Sequence, residues 1–508
     1  MDLLLTLQNN TVTVTIGAVA LVLLLVNCSY RGRRKITSRE RLPPGPAPVP
    51  IFGNMLQIDM SQPYRSYMEL SKTYGSVFTV WLASRAVVVV CGHEAIREAL
   101  VNQGEAFNGR ANPPVNLKIQ NGHGVGVSNG PRWKVLRAFS EGSLRGLGVR
   151  GGRSLEQRAQ EEAEQLVGAF GEGGRSTVNP KKLLYNSIIN LFCSLSLGRR
   201  FELDHPTFRL FHDAVYSYFD FILSRTGSLY NFFPGVIGLF PGKHRVAFQS
   251  IEKVKAFLIQ EADSRLKNLD TSNPQDFLEV FLVRMLEEKD QPDSEFHYEN
   301  MFGCVWDLFA AGTETQSSAL AHAFLLMIGH PLIQEKVQKE IDEVIGRDRP
   351  PAVSDRVNMP YTNAVIHEIH RTMDLAPLAV PHKMNCDVDF YGHHIPEGTV
   401  VFPLLSSVLS DPLLFKNTDR FDPENFLDDD GLFLEKDGFL AYGLGKRGCL
   451  GDGMGIPKTV VFLFFVGVLQ RFSLRGTGPA EDIDLRTVSY SVGNLARPYE
   501  CYAEPRDG

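Results

Sequence analysis

The residues with the clearest chemical potential lie in the run Tyr442-Gly443-Leu444-Gly445-Lys446-Arg447-Gly448-Cys449-Leu450-Gly451. A single cysteine sits between glycines, with two basic residues just before it. Glycine carries no Cβ, so backbone N–H groups can approach a sulfur there. Such hydrogen bonds lower the basicity of a thiolate, and the start of a following helix adds partial positive charge. The run suits a cysteine held as its anion. A second constellation is Ala311-Gly312-Thr313-Glu314-Thr315, inside the mostly apolar helical stretch from Met301 to Ile328. An acid and an alcohol buried side by side in a helix are costly without partners. Gly312 weakens the helix where a small ligand could press against it; a plain helix kink is the alternative. Glu368 and Arg371 share a face of the helical stretch Tyr361 to Met373. Alone, such a pair reads as a surface salt bridge of small worth.

No second Cys or His stands at metal-clip spacing near Cys449, which argues against zinc. One thiolate cannot hold bare iron, but it can be the axial ligand of a haem whose porphyrin supplies the other four bonds. A buried structural cysteine is the competing reading. The spacing Gly-Lys-Arg-x-Cys-x-Gly resembles the haem-binding loop of the cytochrome P-450 monooxygenases. The resemblance runs from Leu42 to the C-terminal region and points to the vertebrate microsomal family 2 enzymes, which act on drugs, fatty acids and steroids. It implies a mainly α fold with small β-sheets (α+β) and a haem b ligated by Cys449. It also implies that Glu314 and Thr315 lie across the haem from the sulfur and supply protons for oxygen activation.

Trp133, Arg137, His382 and Arg447 match the family's haem-propionate partners. Guanidinium groups suit carboxylates because they donate two parallel hydrogen bonds. Val125, Val127, Phe309, Ala311, Ala376, Ala379 and Val380 match positions that line the substrate pocket. Glu368 and Arg371 match a buried Glu-x-x-Arg pair completed by a Pro-x-x-Phe segment. Here that segment is Pro423-Glu424-Asn425-Phe426, with Asn425 where Arg or His is usual. The resemblance further implies electrons from NADPH through a separate NADPH–cytochrome P-450 reductase, with cytochrome b5 as a second candidate donor, and an apolar small-molecule substrate. The chain itself carries no nucleotide fingerprint, because the glycines of the cysteine loop do not follow a strand-to-helix phosphate turn.

Some residues depart from the family pattern. Tyr442 stands where Phe is usual, Gln316 where Thr or Ser is usual, Ala138 where a second Arg is common, and Val127 where Phe is frequent. Met454-Gly455-Ile456-Pro457-Lys458 replaces an Ala-Arg-rich stretch ending in Glu. A helix running on from Leu450 is expected to kink at Pro457; one starting near Ile456 would tolerate it in the first turn. Two other functions fit parts of the pattern. A haem-thiolate isomerase or dehydratase would need no reductase, but such enzymes commonly lose the acid–alcohol pair. A haem-binding protein with little turnover would fit the departures.

These groups must be positioned by a large fold. The chain has 508 residues, 44% of them hydrophobic, and a net charge of −6, which gives no sign of nucleic-acid binding. Its seven cysteines show no pairing rhythm, which fits free thiols in a reducing compartment. The reading divides it into an N-terminal transmembrane anchor over 1–30, a basic and proline-rich linker over 31–50, and a cytosolic domain over 51–508. The apolar segment from Asp2 to Tyr30 is long enough to span a bilayer. Arg31-Gly32-Arg33-Arg34-Lys35 then sets its C-terminal end on the cytosolic side, which, with the resemblance, implies the endoplasmic reticulum membrane. Tyr230 to Phe240 is an apolar patch broken by Pro and Gly, expected to contact lipid. β-Branched runs predict a hairpin from Val77–Val80 and Ala86–Val90, and a second from Val388–Tyr391 and Thr399–Phe402. Ile333, Val337, Ile341 and Ile345 predict a helix that starts near Pro331 and stops before Gly346.

Overall fold

The computed structural model describes residues 42–147, 153–174 and 176–506. The expected anchor over 1–30 and the basic run after it lie outside the described residues. Proline opens many of the helices. Pro63, Pro114, Pro180, Pro206, Pro331 and Pro360 each stand at a helix start. There the missing N–H costs nothing and the fixed φ suits the first turn. The fold is mainly helical with small sheets, as the sequence predicts. Among the described residues, no helix is long and apolar enough to cross a membrane.

The residues divide into two units. The first comprises 42–109 and 379–404. It is built on strands in the order Val77–Leu82, Arg85–Cys91, Val400–Leu404, His382–Lys383. The first two pair antiparallel, as the predicted hairpin. The second predicted hairpin is corrected. Val388–Phe390 pairs with His393–Ile395, and Val400–Leu404 runs parallel to Arg85–Cys91 instead. The reason is the turn: Tyr391 and Gly392 both take positive φ, 52° and 77°, so the chain reverses within two residues. The proline-rich segment from Leu42 is extended as expected, but it is docked. Thr79 N donates to Pro44 O at 2.8 Å, and a Cβ on Gly45 would meet Thr79 O at 1.8 Å.

The second unit comprises 110–378 and 405–506 and holds the largest core cluster. Its axis is the helix Tyr298–Gly329, 32 residues and about 48 Å long at 1.5 Å per residue. The helices Pro180–Leu197 and Ile456–Arg471 pack against it and are apolar almost all round, the pattern of elements buried on every side. The predicted helix near Pro331 spans Pro331–Val344, with Gly346 at φ 76° beyond its end. The hairpin Val488–Tyr490 with Gly493–Leu495, and the antiparallel pair Phe472–Gly476 with Cys501–Pro505, complete the unit.

Candidate functional site

The cysteine loop closes on itself through backbone contacts. Gly443 and Gly445 take φ of 75° and 71°, where a side chain would be strained. Cys449 N donates to Tyr442 O at 2.8 Å, and Gly448 N to Gly445 O at 2.9 Å. Arg137, from the helix Gly130–Gly146, donates to Gly448 O at 2.9 Å and pairs with Glu141 at 2.6 Å. Burial holds the Cys449 thiol above its ordinary pKa, while the backbone N–H groups of Asp452 and Gly451 pull the other way. The side chain is nevertheless solvent-exposed.

The helix after this loop does not kink at Pro457, which corrects the sequence expectation. Leu450–Gly453 ends as a separate turn, Gly455 takes φ 76°, and a new helix runs Ile456–Arg471 with Pro457 in its first turn. Proline is harmless there because no intrahelical acceptor awaits its N–H. Tyr442 also has a local reason. Its hydroxyl lies 3.0 Å from His370 Nε2. Burial, then the Arg356 charge, lowers His370 to about 4, so the imidazole is neutral and shares a hydrogen bond with the phenol. The tyrosine and His370 form a matched polar pair where the family's Phe would need none.

Beside the loop, positive charge is concentrated. The Arg447 guanidinium stacks on the buried Trp133 ring at 3.8 Å and donates to Ser128 O at 2.8 Å. Burial, then Arg110, then Arg137, lowers Arg447 to about 8. Arg110 is lowered to about 10 by burial and by Arg137. A carboxylate placed beside these guanidinium groups would relieve the repulsion that lowers Arg447 and Arg110. Sequence reasoning missed Arg110; its only signal is the run Phe107-Asn108-Gly109-Arg110 before Pro113-Pro114. It also missed Asn129, whose Oδ1 accepts from Arg110 N at 2.6 Å and from Arg447 at 3.3 Å. His382 belongs to the first unit. There it is buried, with Nδ1 2.7 Å from Phe107 O.

The long helix carries an opened face. From Asn300 to Ile328 every residue is buried except Asp307, Ala310, Ala311, Gly312 and Thr315. Asp307, Ala311 and Thr315 recur every fourth residue, so they share one face. Phe309 is not on it. That ring is fully buried, stacked on Phe211 at 4.3 Å and beside Phe192 at 5.9 Å. Ala310, the next residue, is half-buried. Val125 and Val127 are buried in the loop before the helix Gly130–Gly146. Ala376 is half-buried after the helix Pro360–Met373. Ala379 and Val380 lie in the first unit, with Val380 exposed.

Glu314 and Thr315 are adjacent but engage different partners. The Glu314 carboxylate pairs with Lys181 at 2.7 Å and accepts from Ser318 at 3.2 Å. Thr315 Oγ1 donates to Ala311 O at 2.5 Å. Among the described residues, the buried Gln316 Oε1 lacks a hydrogen-bond partner. Glu368 and Arg371 come together bidentately, at 2.7 and 2.6 Å, both almost fully buried. Asn425 donates to Glu368 at 3.2 Å, and its Oδ1 accepts from Lys416 N at 2.8 Å. Arg371 spends its remaining donors on the carbonyls of Leu409, Asn417, Thr418 and Arg420. The pair is thus an internal clamp on the segment 409–425, not a surface bridge.

The family model for cytochrome P450 matches residues 43–500. The chain belongs to the cytochrome P450 family. It is 54% identical to cytochrome P450 2M1 of Oncorhynchus mykiss over 506 residues, which is 100% of this chain and 99% of that one. Identity to cytochrome P450 2B4 of Oryctolagus cuniculus is 45%, over 93% of this chain and 95% of that protein. Identity to human cytochrome P450 2A13 is 39%, over 98% and 100%. The protein is therefore a P450 monooxygenase, and its family implies a haem with a cysteine thiolate ligand. The donor set of the second unit fits that group. Cys449 offers a sulfur with two N–H donors, and Arg447, Arg110 and Arg137 offer the positive charge that haem carboxylates require.

Proposed function

We propose that this P450 inserts one oxygen atom of O2 into apolar small molecules of the drug, fatty-acid or steroid class. Its electrons come from NADPH through a separate reductase, at the endoplasmic reticulum membrane. The observation that carries this reading is the opened face of the long helix, Ala310-Ala311-Gly312 with Thr315, in a helix otherwise buried from Asn300 to Ile328. Small apolar residues leave room there for an apolar ligand, whose burial is worth about 0.8 kcal/mol per CH2.

When bound, the haem supplies the O2 and one-electron chemistry. In this reading Cys449 would be its iron ligand, and Arg447, Arg137, Arg110 and Trp133 would hold its carboxylates. Thr315 orders a proton donor at the opened face; to do so its hydroxyl turns from Ala311 O, a rotation of one side-chain torsion. Glu314 carries protons from the protein side, and Lys181, paired with it at 2.7 Å, orients its carboxylate. Val125, Val127, Phe309, Ala311 and Ala376 contact the substrate.

The departures from the family do not favour a non-catalytic haem protein: Tyr442 and Asn425 have partners, and Pro457 sits at a helix start. NADPH consumption with reconstituted reductase, compared with product over a panel of fatty acids, steroids and drugs, tests the proposal. Coupled product formation is expected. Product formed without reductase would indicate an isomerase, and NADPH consumed without any product would overturn the reading.

A further inference from the structure

Inside a helix, glycine is costly relative to alanine, and at Gly312 the structure shows what the missing Cβ makes room for. A Cβ there would lie 2.0 Å from Phe192 Cζ, 2.3 Å from its Cε2 and 3.0 Å from its Cε1. The tip of the Phe192 ring, carried by the helix Pro180–Leu197, thus keys into the bare backbone of the long helix. Phe309 stands three residues before Gly312, so the two positions are neighbours on the helix surface. The Phe192 ring occupies the notch beside it, 5.9 Å from the Phe309 ring with the planes at 51°. Phe309 also stacks on Phe211, of the helix Pro206–Ile222, at 4.3 Å and 19°. Phe211 in turn meets Phe257, of the helix Lys243–Leu266, edge-on at 5.9 Å. Phe192, Phe211 and Phe309 are each 1% exposed or less. Pro180–Leu197 is itself buried on almost every side, so the Phe192 ring has nowhere to withdraw. Ala310 and Ala311, the two residues after Phe309, are half-buried and exposed.

We infer that Phe192 is a specificity-determining residue that no ligand touches. Keyed into the notch of Gly312, its ring fixes the place of Phe309 and of the backbone that carries Ala310 and Ala311. It thereby sets the size of apolar ligand that the opened face admits. This rests on the reading of that face as the substrate side of the haem site. The physical ground is packing. An interior as dense as an organic crystal does not recede when a ligand presses on it; it recedes only when atoms behind it are removed. A flat, stiff ring suits the task, because a shorter aliphatic side chain would leave part of the notch empty and let Phe309 turn into it. The glycine and the ring work as one device: the notch without the ring is a void, and the ring without the notch is a clash. Pocket size is therefore adjustable from position 192 with every residue of the opened face left in place.

The test uses the haem-loaded full chain with Phe192→Leu, Gly312→Ala and the two combined. Each protein is titrated with imidazole and with a biphenyl-substituted imidazole as the bulky apolar probe, followed by the spectral shift on iron ligation. Thermal unfolding is recorded in parallel. The readout is the ratio of the two dissociation constants, in which changes at the iron itself cancel. Phe192→Leu should move the ratio about threefold in favour of the bulky probe, because Phe309 gains room. Gly312→Ala drives the ring against Phe309 and should move the ratio about tenfold the other way, with a lower melting temperature. The combined variant should return to within about twofold of the wild-type ratio and recover melting temperature, because leucine vacates the volume that the new Cβ takes. Should Gly312→Ala give no folded protein, folding regained in the combined variant supports the pairing and its loss there overturns it. A ratio unchanged in Phe192→Leu, whatever its melting temperature does, overturns the inference, as does a combined variant no better than Gly312→Ala. If the wild-type chain shows no shift with imidazole itself, the reading beneath the inference fails instead.

Discussion

Cys449 concentrates the chemistry at the scale of single residues. Burial raises the pKa of its thiol, and the backbone N–H groups of Asp452 and Gly451 and the Arg137 charge oppose that rise. Cys449→His should still capture some haem, and the reduced carbonyl complex should lose the thiolate-type Soret band; persistence of that band would remove Cys449 from the ligand role. Thr315 is the second test. Thr315→Ala removes a hydroxyl that, among the described residues, bonds to Ala311 O, so haem content and ligand binding should stay the same. NADPH should be diverted to peroxide, and an unchanged ratio of product to NADPH would exclude Thr315 from proton delivery. These two residues were legible through their neighbours: glycines around a sulfur, and an acid beside an alcohol at a helix glycine. The sequence could not reveal Asp307. An acid in the run Trp306-Asp307-Leu308 reads like any helix-surface carboxylate until the Val125 and Gly126 N–H groups that donate to it are seen.

Elements decide whether those residues are held. The clamp of Glu368 and Arg371 shows how burial changes the worth of a pair, because one turn of exposed helix would make it negligible. Here both charges are nearly inaccessible, and Glu368 is raised by burial and lowered by Arg371. Glu368→Gln leaves Arg371 buried without its counter-charge and should cost about 3–5 kcal/mol. Urea unfolding of the haem-loaded protein should show this as a lower midpoint, and a loss below about 1 kcal/mol would mean that the pair is screened. The break between Leu450–Gly453 and Ile456–Arg471 gives an opposite pair of outcomes. Gly455→Ala forces a side chain into φ 76° and should cost about 1–2 kcal/mol. Pro457→Ala removes only a first-turn proline and should stay within about 0.5 kcal/mol. A larger loss at Pro457 than at Gly455 in thermal unfolding would contradict a helix that begins at Ile456.

At the scale of the whole molecule, the second unit leaves an apolar patch uncovered. Phe233, Val236, Leu239 and Phe240 are 40–75% exposed, between the helices Pro206–Ile222 and Lys243–Leu266. A chain lacking residues 1–30 should still sediment with lipid vesicles. Changing Phe233, Leu239 and Phe240 to Ser should release it, because each buried apolar side chain is worth about 1.5–3 kcal/mol. Full solubility before those changes would leave the patch without a membrane role. The sequence by itself determined the helical class, the cysteine loop, the long helix with its acid–alcohol pair, and the Glu-x-x-Arg spacing. Those features are local: a 3.6-residue period or a turn needs only near neighbours. Tertiary structure decided what depends on distant chain segments. It sent Val400–Leu404 to the central sheet rather than to a local hairpin, buried Phe309 against Phe211, gave Tyr442 a partner in His370, and began a new helix at Ile456. Each outcome turns on which surfaces meet across tens or hundreds of residues, and no periodicity in one segment encodes the face that another will offer it.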